Sequence, residues 1–429
     1  MSQPASSPSP TPAPRRRLVI GLLMAVMVIS VLDKTIFAFA GPQIIDELHL
    51  SAQEFGFVGS AFFFLYSLSG IGVGFLANRF PTRWILTLMA LVWTSAQLLV
   101  TFANGLAALT ASRLLLGAGC GPGTAVTQHA SFKWYTADRQ VLPASLLQVS
   151  IMLGGLLGAI ALPLIIAHFG WRSAYLLLAA LSLVWMLAWW LFGADGNQAG
   201  MAQGSPALPT TVVPYRHLLL NRTFVWISLM CFLAYLPNAL SFSWSAVYLQ
   251  KGLGLSSVQA GYVLFAATLS IIVINLLLSA LSQRLLKRGT SVQRSLVLPP
   301  MACCILGGLA FCMLGTLTQG LTMKLVCYVL GGVLLNGVFA FGMTITSHIS
   351  PLHQRGAMLA IHVGCMTLSG MLAPWAVGRL VMLFNGDIAQ GFETALHAIG
   401  VAAVLCAALG LYVITPAQTR QHLQARWAN

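Results

Sequence analysis

Long apolar segments recur along this chain, and each is about as long as a lipid bilayer is thick. The hydrocarbon core of a bilayer is about 30 Å deep and needs roughly 20 mainly apolar residues in a helix. Such segments are continuously apolar here, whereas the strands of a membrane barrel alternate in hydrophobicity over about ten residues. The sequence therefore predicts an all-α membrane protein with twelve transmembrane helices. The predicted helices cover residues 18–40, 55–77, 84–103, 106–129, 144–167, 171–193, 222–249, 258–282, 296–317, 321–347, 356–384 and 391–414.

Charged residues are too few for a water-soluble protein. They make up 7% of the 429 residues, while hydrophobic residues make up 58%. A soluble globular domain is about one quarter charged. A chain of this composition cannot cover a water-facing surface, so the class of soluble globular proteins is excluded.

The longest interval between predicted helices separates the first six from the last six. It is rich in glycine and proline, which predicts a linker. Two halves of six helices are typical of secondary transporters, whose substrate site lies near the bilayer midplane between the halves. The expected domains are a disordered cytoplasmic tail (1–17), a six-helix bundle (18–193), a cytoplasmic linker (194–221), a second six-helix bundle (222–414) and a cytoplasmic tail (415–429).

Basic residues lie mainly on one side of the predicted topology. The chain has 22 Lys and Arg against 8 Asp and Glu, a net charge of +14. By the positive-inside rule, the basic side faces the cytoplasm. We therefore predict a multi-pass protein of the inner (plasma) membrane with both termini in the cytoplasm, and the charge is explained without a nucleic-acid partner. The basic residues on that side are Arg15, Arg16, Arg17, Arg79, Arg83, Lys133, Arg139, Arg216, Arg222, Arg284, Lys287, Arg288, Arg294, Arg355, Arg420 and Arg426.

The eight cysteines all fall inside predicted helices and lack the spacing of metal ligands. Cysteines in such positions behave as small buried hydrophobic residues. No nucleophile elbow or phosphate loop occurs in the sequence. The sequence therefore predicts no cofactor and no metal, and it argues against an enzyme. The cysteines are Cys120, Cys231, Cys303, Cys304, Cys312, Cys327, Cys365 and Cys406.

Three charged residues of the first half lie deep inside predicted helices, where charge is costly. A charged group at the bilayer centre costs roughly 2.5 to 3.5 kcal/mol on insertion scales. Asp33 and Lys34 lie in the first helix, and Arg113 lies at a similar expected depth in the fourth. We expect the three to face one cavity, with Asp33 paired to Lys34 or Arg113 and one positive charge left for an anion. The alternative is a static cluster that fixes helix packing.

Short motifs along the chain occur in the order typical of one transporter family. The motifs are Leu32-Asp33-Lys34 with Ala40 and Pro42, Ser60-Ala61-Phe62-Phe63 with Tyr66, Gly74 with Ala77 and Arg79, Arg113 with Leu115, Leu116, Gly117, Gly119, Gly121 and Pro122, Gly170-Trp171-Arg172, Trp244 with Tyr248 and Leu249, and Gln354-Arg355-Gly356 with Gly370, Pro374 and Gly378. Together they resemble the anion:cation symporter family of the major facilitator superfamily, which carries sugar acids, aromatic acids and other organic anions. The resemblance spans nearly the whole chain and implies the major facilitator fold.

This resemblance implies roles for four residues of the first half. Lys34, Tyr66 and Arg113 would surround the substrate carboxylate, and Asp33 would be the proton-coupling group. A carboxylate that exchanges a proton for a cationic partner as the cavity opens would couple proton movement to substrate movement.

Three positions depart from the family pattern. Cys120 stands where the family has Glu, Val31 where it has Tyr, and Asn78 where it has Asp. The change at Cys120 removes a potential negative charge from the cavity and bears directly on the stoichiometry of coupling.

The second half offers polar rather than charged side chains to a substrate. Tyr235, Asn238, Thr367 and Ser369 are predicted to hydrogen-bond its remaining polar groups. Hydrogen bonding between helices is the alternative for each of them. Further candidates of the same kind are Asn275, Asn336 and His362.

Basic residues follow the second and the eighth predicted helices, at equivalent places in the two halves. Arg79 and Arg83 occupy the first connection, and Arg284 and Arg288 occupy the second. We predict that these four residues gate the conformational change, although the positive-inside rule explains their charges as well.

These observations favour inward, proton-coupled symport of a small organic anion by alternating access, carried out by a monomer in the lipid bilayer. The anion would be a carboxylate, sugar acid or aromatic acid. One alternative is a drug or metabolite exporter of the same fold, although the fifth helix lacks the Gly-Pro-x-x-Gly-Gly pattern of many drug antiporters. A membrane enzyme or a transporter-like receptor is a second alternative, against which the missing catalytic motifs argue.

Overall fold

Helices follow one another along the chain in the predicted order. The structure is a computed structural model that describes residues 13–76, 80–135, 139–196, 213–315, 320–351 and 354–427, and no strand occurs in these ranges. The helices are α1 (Ala13–Glu47), α2 (Ala52–Leu76), α3 (Thr82–Thr101), α4 (Leu106–Cys120), α5 (Gly123–Phe132), α6 (Val141–Phe192), α7 (Tyr215–Leu219), α8 (Arg222–Leu240), α9 (Ser245–Val247), α10 (Ser257–Lys287), α11 (Leu298–Met313), α12 (Leu321–Asn336), α13 (Val338–Ile349), α14 (Arg355–Leu383), α15 (Ile388–Val413) and α16 (Pro416–Trp427). Two π-helical turns, Tyr248–Gly252 and Gln293–Val297, follow α9 and precede α11.

Nine of the described helices are long and apolar enough to cross a membrane. One of them covers Leu142–Phe192, and its 51 residues allow two crossings at roughly 20 residues each. Helix α2 adds a segment of 25 residues, and α4 with α5 covers the predicted fourth helix. The prediction of an all-α fold with twelve spanning segments is confirmed.

Gly170 divides α6 into the predicted fifth and sixth segments. Its φ of 78° and ψ of 164° lie in a region that residues with a side chain rarely adopt. The next two residues tie this corner to the end of α1. The backbone N–H of Trp171 donates to Gln43 (3.0 Å), its indole N–H donates to Glu47 (2.5 Å), and Arg172 pairs with Glu47. The Gly170-Trp171-Arg172 motif is thus explained by the bend in α6 and by its hydrogen bonds to the end of α1.

Three other predicted spans are interrupted. Gly121 and Pro122 separate α4 from α5, residues 241–244 separate α8 from α9, and Gly337 separates α12 from α13. Proline removes a helical hydrogen bond, and glycine lowers the cost of bending. Interrupted helices of this kind leave backbone groups unpaired where they line a cavity between the halves of a transporter.

Each group of six segments packs mainly within itself, and two seams join the groups. Helix α1 packs along α6 in the first group, and α11 packs against α15 in the second. The seams are formed by α2 with α14 and by α6 with α10. A methyl group at Gly56 would lie 2.4 Å from the Pro374 carbonyl oxygen, and one at Gly261 would lie 2.5 Å from that of Ala159. Glycine therefore permits the close approach of helices that membrane interfaces favour.

The two ends of the bundle differ in charge. We call the end at which α1 begins the basic end. Helix α1 runs from there to the opposite end, and α2 runs back to the basic end. The basic end carries Arg15, Arg17, Arg83, Lys133, Arg284, Lys287, Arg288, Arg294 and Arg355, and the opposite end carries Asp46, Glu47, Glu54 and Asp387. This separation follows the predicted topology; the orientation in the membrane stays a prediction.

Candidate functional site

Asp33 lies inside the first half, sealed from the space between the halves. Its side chain is 0% exposed, and the Gln97 amide of α3 donates a hydrogen bond to Oδ1 over 2.7 Å. The other oxygen, Oδ2, has no partner among the described residues. No described cation is close enough to form an ion pair with Asp33, so the predicted pairing with Lys34 or Arg113 is wrong in this conformation. Adjacent residues of a helix point about 100° apart, which directs Asp33 into the half and Lys34 away from it.

Arg113 of α4 is also sealed, at 1% exposure. Its guanidinium carbon lies 4.4 Å from the ring centre of Phe37 and 4.9 Å from that of Phe62. These cation–π contacts offset part of the cost of burying the charge. Within the described part of the chain, Nε and Nη1 of Arg113 have no hydrogen-bond partner. The expectation that all three charges face one cavity is therefore corrected: two are enclosed by helices and aromatic rings.

Cys120 and Tyr175 complete this buried cluster. Cys120 and Tyr175 are 2% and 0% exposed. The Tyr175 hydroxyl has no hydrogen-bond partner in the described residues. The position where the resembling family has Glu thus holds a buried thiol in this half.

Lys34 faces a different environment from Asp33. It is partly exposed, and its Nζ lies 5.9 Å from the ring centre of Tyr66 in α2. The Tyr66 hydroxyl is within electrostatic range of the Tyr235 hydroxyl of α8, in the other half. Both tyrosines are partly exposed. Lys34 and Tyr66 of the first half thus lie on the same side of the bundle as Tyr235 of the second half, with the Phe63 ring between the two tyrosines. Their role in substrate binding stays a prediction.

The other polar residues predicted in the second half are less available for hydrogen bonds to a substrate. Thr367 accepts a hydrogen bond from Ser67 of α2 (3.1 Å) and donates to the Gly364 carbonyl (3.2 Å). Ser369 is buried and donates to the Met366 carbonyl (2.8 Å). The alternative of interhelical or local bonding fits both residues in this conformation. Asn238 is partly exposed near the end of α8.

Further polar candidates of the second half are paired with one another or with a serine. The amide of Asn275 donates to that of Asn336 over 3.3 Å, and the His362 Nδ1 lies 2.9 Å from the Ser228 hydroxyl. His362 is buried, so it does not border the space between the halves.

Three of the four predicted gating arginines are described, and in this conformation Arg83, Arg284 and Arg288 form no hydrogen bond or ion pair with a described residue of the opposite half, so their gating role stays a prediction. Arg79 lies outside the described residues. Arg83 donates to the Trp190 carbonyl (2.6 Å), and its backbone N–H donates to Asp195 (3.4 Å), both in the first half. Arg284 and Arg288 are exposed at the end of α10. The Arg83 contacts tie α3 to the end of α6 because Asp195 follows that helix directly.

Contacts between the halves close the opposite end instead. The rings of Phe55 in α2 and Trp244 beside α9 meet edge to face at 5.0 Å. The Trp375 backbone N–H donates to the Ser60 hydroxyl over 3.0 Å. Lys251 pairs with Asp46, and Gly41 packs against Val247. Aromatic packing and charge pairing between α1, α2 and the second half thus seal this end of the site.

A model of the Major Facilitator Superfamily matches residues 23–299. The chain belongs to the major facilitator superfamily. It is therefore a multi-pass membrane transporter of the secondary type and not an enzyme.

Similar proteins of the superfamily include transporters named for organic acids. A D-galactonate transporter of Escherichia coli is 23% identical over 420 residues, which cover 92% of this chain and 94% of the relative. A probable sulfoacetate transporter of Cupriavidus necator is 25% identical over 419 residues, or 91% and 93% of the two chains. A hexuronate transporter of Bacillus subtilis is 26% identical over 246 residues, or 56% and 57%.

Solved transporter structures share the fold. The crystal structure of a bacterial homologue of the human lysosomal transporter Spinster, inward-facing and unoccupied, has a TM-score of 0.79 at 18% identity and covers 96% of this chain and 99% of that chain. A D-xylose–proton symporter has a TM-score of 0.73 at 15% identity, with 94% and 99% covered. At these identities the likeness concerns the fold alone.

Sequence reasoning missed several polar residues of this transporter. Gln97 lies within an apolar segment and was not singled out. An uncharged amide in the middle of a spanning helix nevertheless indicates a hydrogen bond between helices. Glu393 lies near the start of the predicted helix 391–414, and it is buried and accepts hydrogen bonds from Lys324 (2.7 Å) and the Tyr248 hydroxyl (2.9 Å). These partners come from three segments far apart in sequence, so only the fold reveals the group.

Proposed function

We propose that this transporter carries a small organic anion inward together with a proton. One observation carries the proposal: the Lys34 ammonium group lies beside Tyr66 on the side of the first half that faces the second, while the preceding residue, Asp33, is buried inside the first half. A cation in the substrate path attracts an anion, and a buried carboxylate beside it is a group that protonation can switch.

The anion assignment is supported by charge. Lys34 has no acidic partner among the described residues, and an ammonium in a low-dielectric space is stabilised by an incoming carboxylate or sulfonate. Relatives named for galactonate, hexuronate and sulfoacetate transport carry substrates of this charge. In our proposal, Lys34 and Tyr66 contact the anionic group of the substrate, and contact with Arg113 follows only if Phe62 moves.

Proton coupling follows from competition for positive charge. Lys34 follows Asp33 directly in α1, and a nearby cation favours the ionised form of a carboxylate. An anion bound at Lys34 neutralises part of that positive field, so the anion and a proton on Asp33 favour each other's binding. Such linkage is reciprocal and supplies the coupling free energy of a symporter. Cys120 provides a thiol at the position where the resembling family has a carboxylate, so the proposal assigns one carboxylate to coupling.

The orientation is part of the same proposal. In this proposal the protein lies in the inner membrane with its basic end in the cytoplasm. The sealed opposite end then faces outward. The anion site is then accessible from the cytoplasm in this conformation, and separation of Phe55 from Trp244 would open it to the outside. We propose that one chain is sufficient for this cycle, because both halves are supplied by the same polypeptide.

Transport by purified protein in proteoliposomes tests the proposal. A labelled panel of galactonate, hexuronate, sulfoacetate and benzoate is offered with an imposed pH gradient, acidic outside. We expect at least one anion to accumulate above equilibrium, and a protonophore to abolish the accumulation. Equilibration without accumulation would contradict proton coupling, and failure to move any anion would contradict the anion assignment.

Two substitutions separate coupling from binding. Asp33→Asn removes the proton site and is expected to abolish gradient-driven accumulation while exchange of labelled for unlabelled anion continues. Lys34→Gln is expected to abolish both. Glu54→Gln, at the opposite end, is the matched control and should leave both activities near the wild-type level. Accumulation by Asp33→Asn at the wild-type level would contradict the coupling role of Asp33.

A further inference from the structure

An aromatic cluster crosses from the first half to the second beside Lys34. We call it the aromatic wall, and it consists of Phe62, Phe63, Tyr66, Tyr235, Phe242 and Phe339. The ring centre of Phe63 lies 5.0 Å from that of Phe62, 6.2 Å from Tyr66, 6.1 Å from Tyr235 and 6.4 Å from Phe242, and Tyr235 lies 6.0 Å from Phe339. Distances of 4.5–7 Å are those of interacting aromatic pairs.

The wall borders the space between the halves. Phe63, at its centre, is buried, and a methyl group at Gly370 of α14 would lie 2.3 Å from its ring. Tyr66, Tyr235 and Phe339 are partly exposed although they lie in the interior of spanning segments. Their outer faces are thus available to a ligand that occupies the same space as the Lys34 ammonium.

Among the described residues, Lys34 is the one cation at the wall that is both accessible and without an acidic partner. Its Nζ lies 5.9 Å from the Tyr66 ring centre. Arg113 is enclosed by Phe37 and Phe62, and Lys324 is paired with Glu393. One accessible positive charge matches one carboxylate. The second carboxylate of a dianion would be desolvated without a partner, which is costly in a low-dielectric site.

Few polar groups remain for the body of a substrate. Thr367 and Ser369 are engaged in hydrogen bonds, and Asn275 is paired with Asn336, which leaves Asn238 and the hydroxyl groups of Tyr66 and Tyr235 among the predicted polar residues. A polyhydroxy acid would lose water from several hydroxyl groups, and each one left unpaired costs about 1–3 kcal/mol. A flat apolar body has few hydrogen bonds to water to lose, and it gains contact with the aromatic rings.

We propose that the site selects monocarboxylates with an aromatic or flat apolar body over polyhydroxy acids and over dicarboxylates. The carboxylate lies at Lys34, and the body lies against Tyr66, Tyr235 and Phe339. This selectivity rests on the proposed anion site, but it is independent of proton coupling.

Equilibrium binding to the purified protein in detergent tests the selectivity with three probes. Benzoate presents one carboxylate on a ring, terephthalate presents two on the same ring, and galactonate presents one on a polyhydroxy chain. We expect benzoate to bind at least about tenfold more tightly than either of the others, because terephthalate and galactonate each leave at least one polar group unpaired in the site.

Variants of the wall give a second readout. Phe339→Leu removes a ring and keeps an apolar side chain, and we expect it to weaken benzoate binding about two- to tenfold with little effect on galactonate. Phe64→Leu, on the exposed face of α2 next to Phe63, is the matched control and should leave benzoate binding unchanged. Thermal unfolding of each variant verifies that it is folded.

The outcomes distinguish this inference from the proposed function. Tighter binding of galactonate or terephthalate than of benzoate would overturn the selectivity and leave anion symport intact. Tight binding of benzoate, with no accumulation of any anion of the panel, would support the selectivity and contradict symport. Absence of benzoate binding to the folded wild-type protein would overturn the selectivity outright.

Discussion

At the scale of single residues, neighbours in sequence occupy different environments. Asp33 is enclosed with Gln97 and Arg113, whereas Lys34 reaches the Tyr66 ring between the halves. The helical turn of about 100° per residue produces this separation. Two charges that are adjacent in the sequence therefore become one fully buried carboxylate and one partly exposed ammonium group.

The hydrogen bond from Gln97 gives a prediction at this scale. Gln97→Leu leaves the buried Asp33 carboxylate without its described donor, at a cost of about 1.5–3 kcal/mol whenever Asp33 is ionised. The loss of stability should therefore grow as pH rises and shrink as pH falls. Thermal unfolding in detergent between about pH 5 and 9 measures it, and the basic groups nearest Asp33 in the first half are Lys34 and Arg113.

The control for this prediction is a double-mutant cycle. In an Asp33→Asn background, Gln97→Leu should cost less and show little pH dependence, because no carboxylate remains to be stabilised. An equal cost in both backgrounds would show that Gln97 acts through packing alone.

At the scale of helices, one buried group braces the second half at the opposite end. Glu393 of α15 accepts from Lys324 of α12 and from Tyr248 in the π-helical turn after α9. The Tyr248 ring also stacks on Phe392, with ring centres 4.4 Å apart. Three segments that are distant in sequence are thereby held in register beside the closed end of the site.

Removal of one partner of this brace should destabilise the protein. Lys324→Met leaves the Glu393 carboxylate buried without its counter-ion, and we expect a loss of up to about 3–5 kcal/mol, reduced because Lys324 is partly exposed. The double substitution Lys324→Met with Glu393→Gln should recover much of the loss. The exposed pair supplies the control: Asp46→Asn should cost less than about 1 kcal/mol.

These losses can be ranked by thermal unfolding in detergent. A double variant no more stable than Lys324→Met alone would contradict an electrostatic origin of the brace, since the uncompensated charge would then not be the cause of the loss.

At the scale of the whole molecule, the halves meet at one end through side chains that carry no substrate. Phe55 packs on Trp244, Lys251 pairs with Asp46, and α2 lies along α14. Alternating access requires these contacts to separate. The surface ion pair contributes little free energy, so aromatic packing is the larger part of the closure.

A cross-link at the closed end should stop transport. Asp46→Cys with Lys251→Cys joins the halves where the native side chains touch, and oxidation should abolish anion exchange until a reductant restores it. Glu47→Cys with Arg172→Cys forms a similar link within the first half and should leave exchange intact. Undiminished exchange by the fully cross-linked Asp46–Lys251 variant would contradict the role of this end in the transport cycle.

The sequence by itself determined the class, the twelve segments and the superfamily, because apolar length and residue order are local properties of the chain. The sequence could also single out Lys34, Tyr66 and Tyr235 as candidates, because polar groups in apolar runs are few and therefore conspicuous; their role in substrate binding stays a prediction. The tertiary structure decided that Asp33 is bonded to Gln97, that Arg113 is enclosed by Phe37 and Phe62, and that Glu393 is buried. Those facts depend on the rotation and depth of each helix against its neighbours, which are set by packing between residues far apart in sequence.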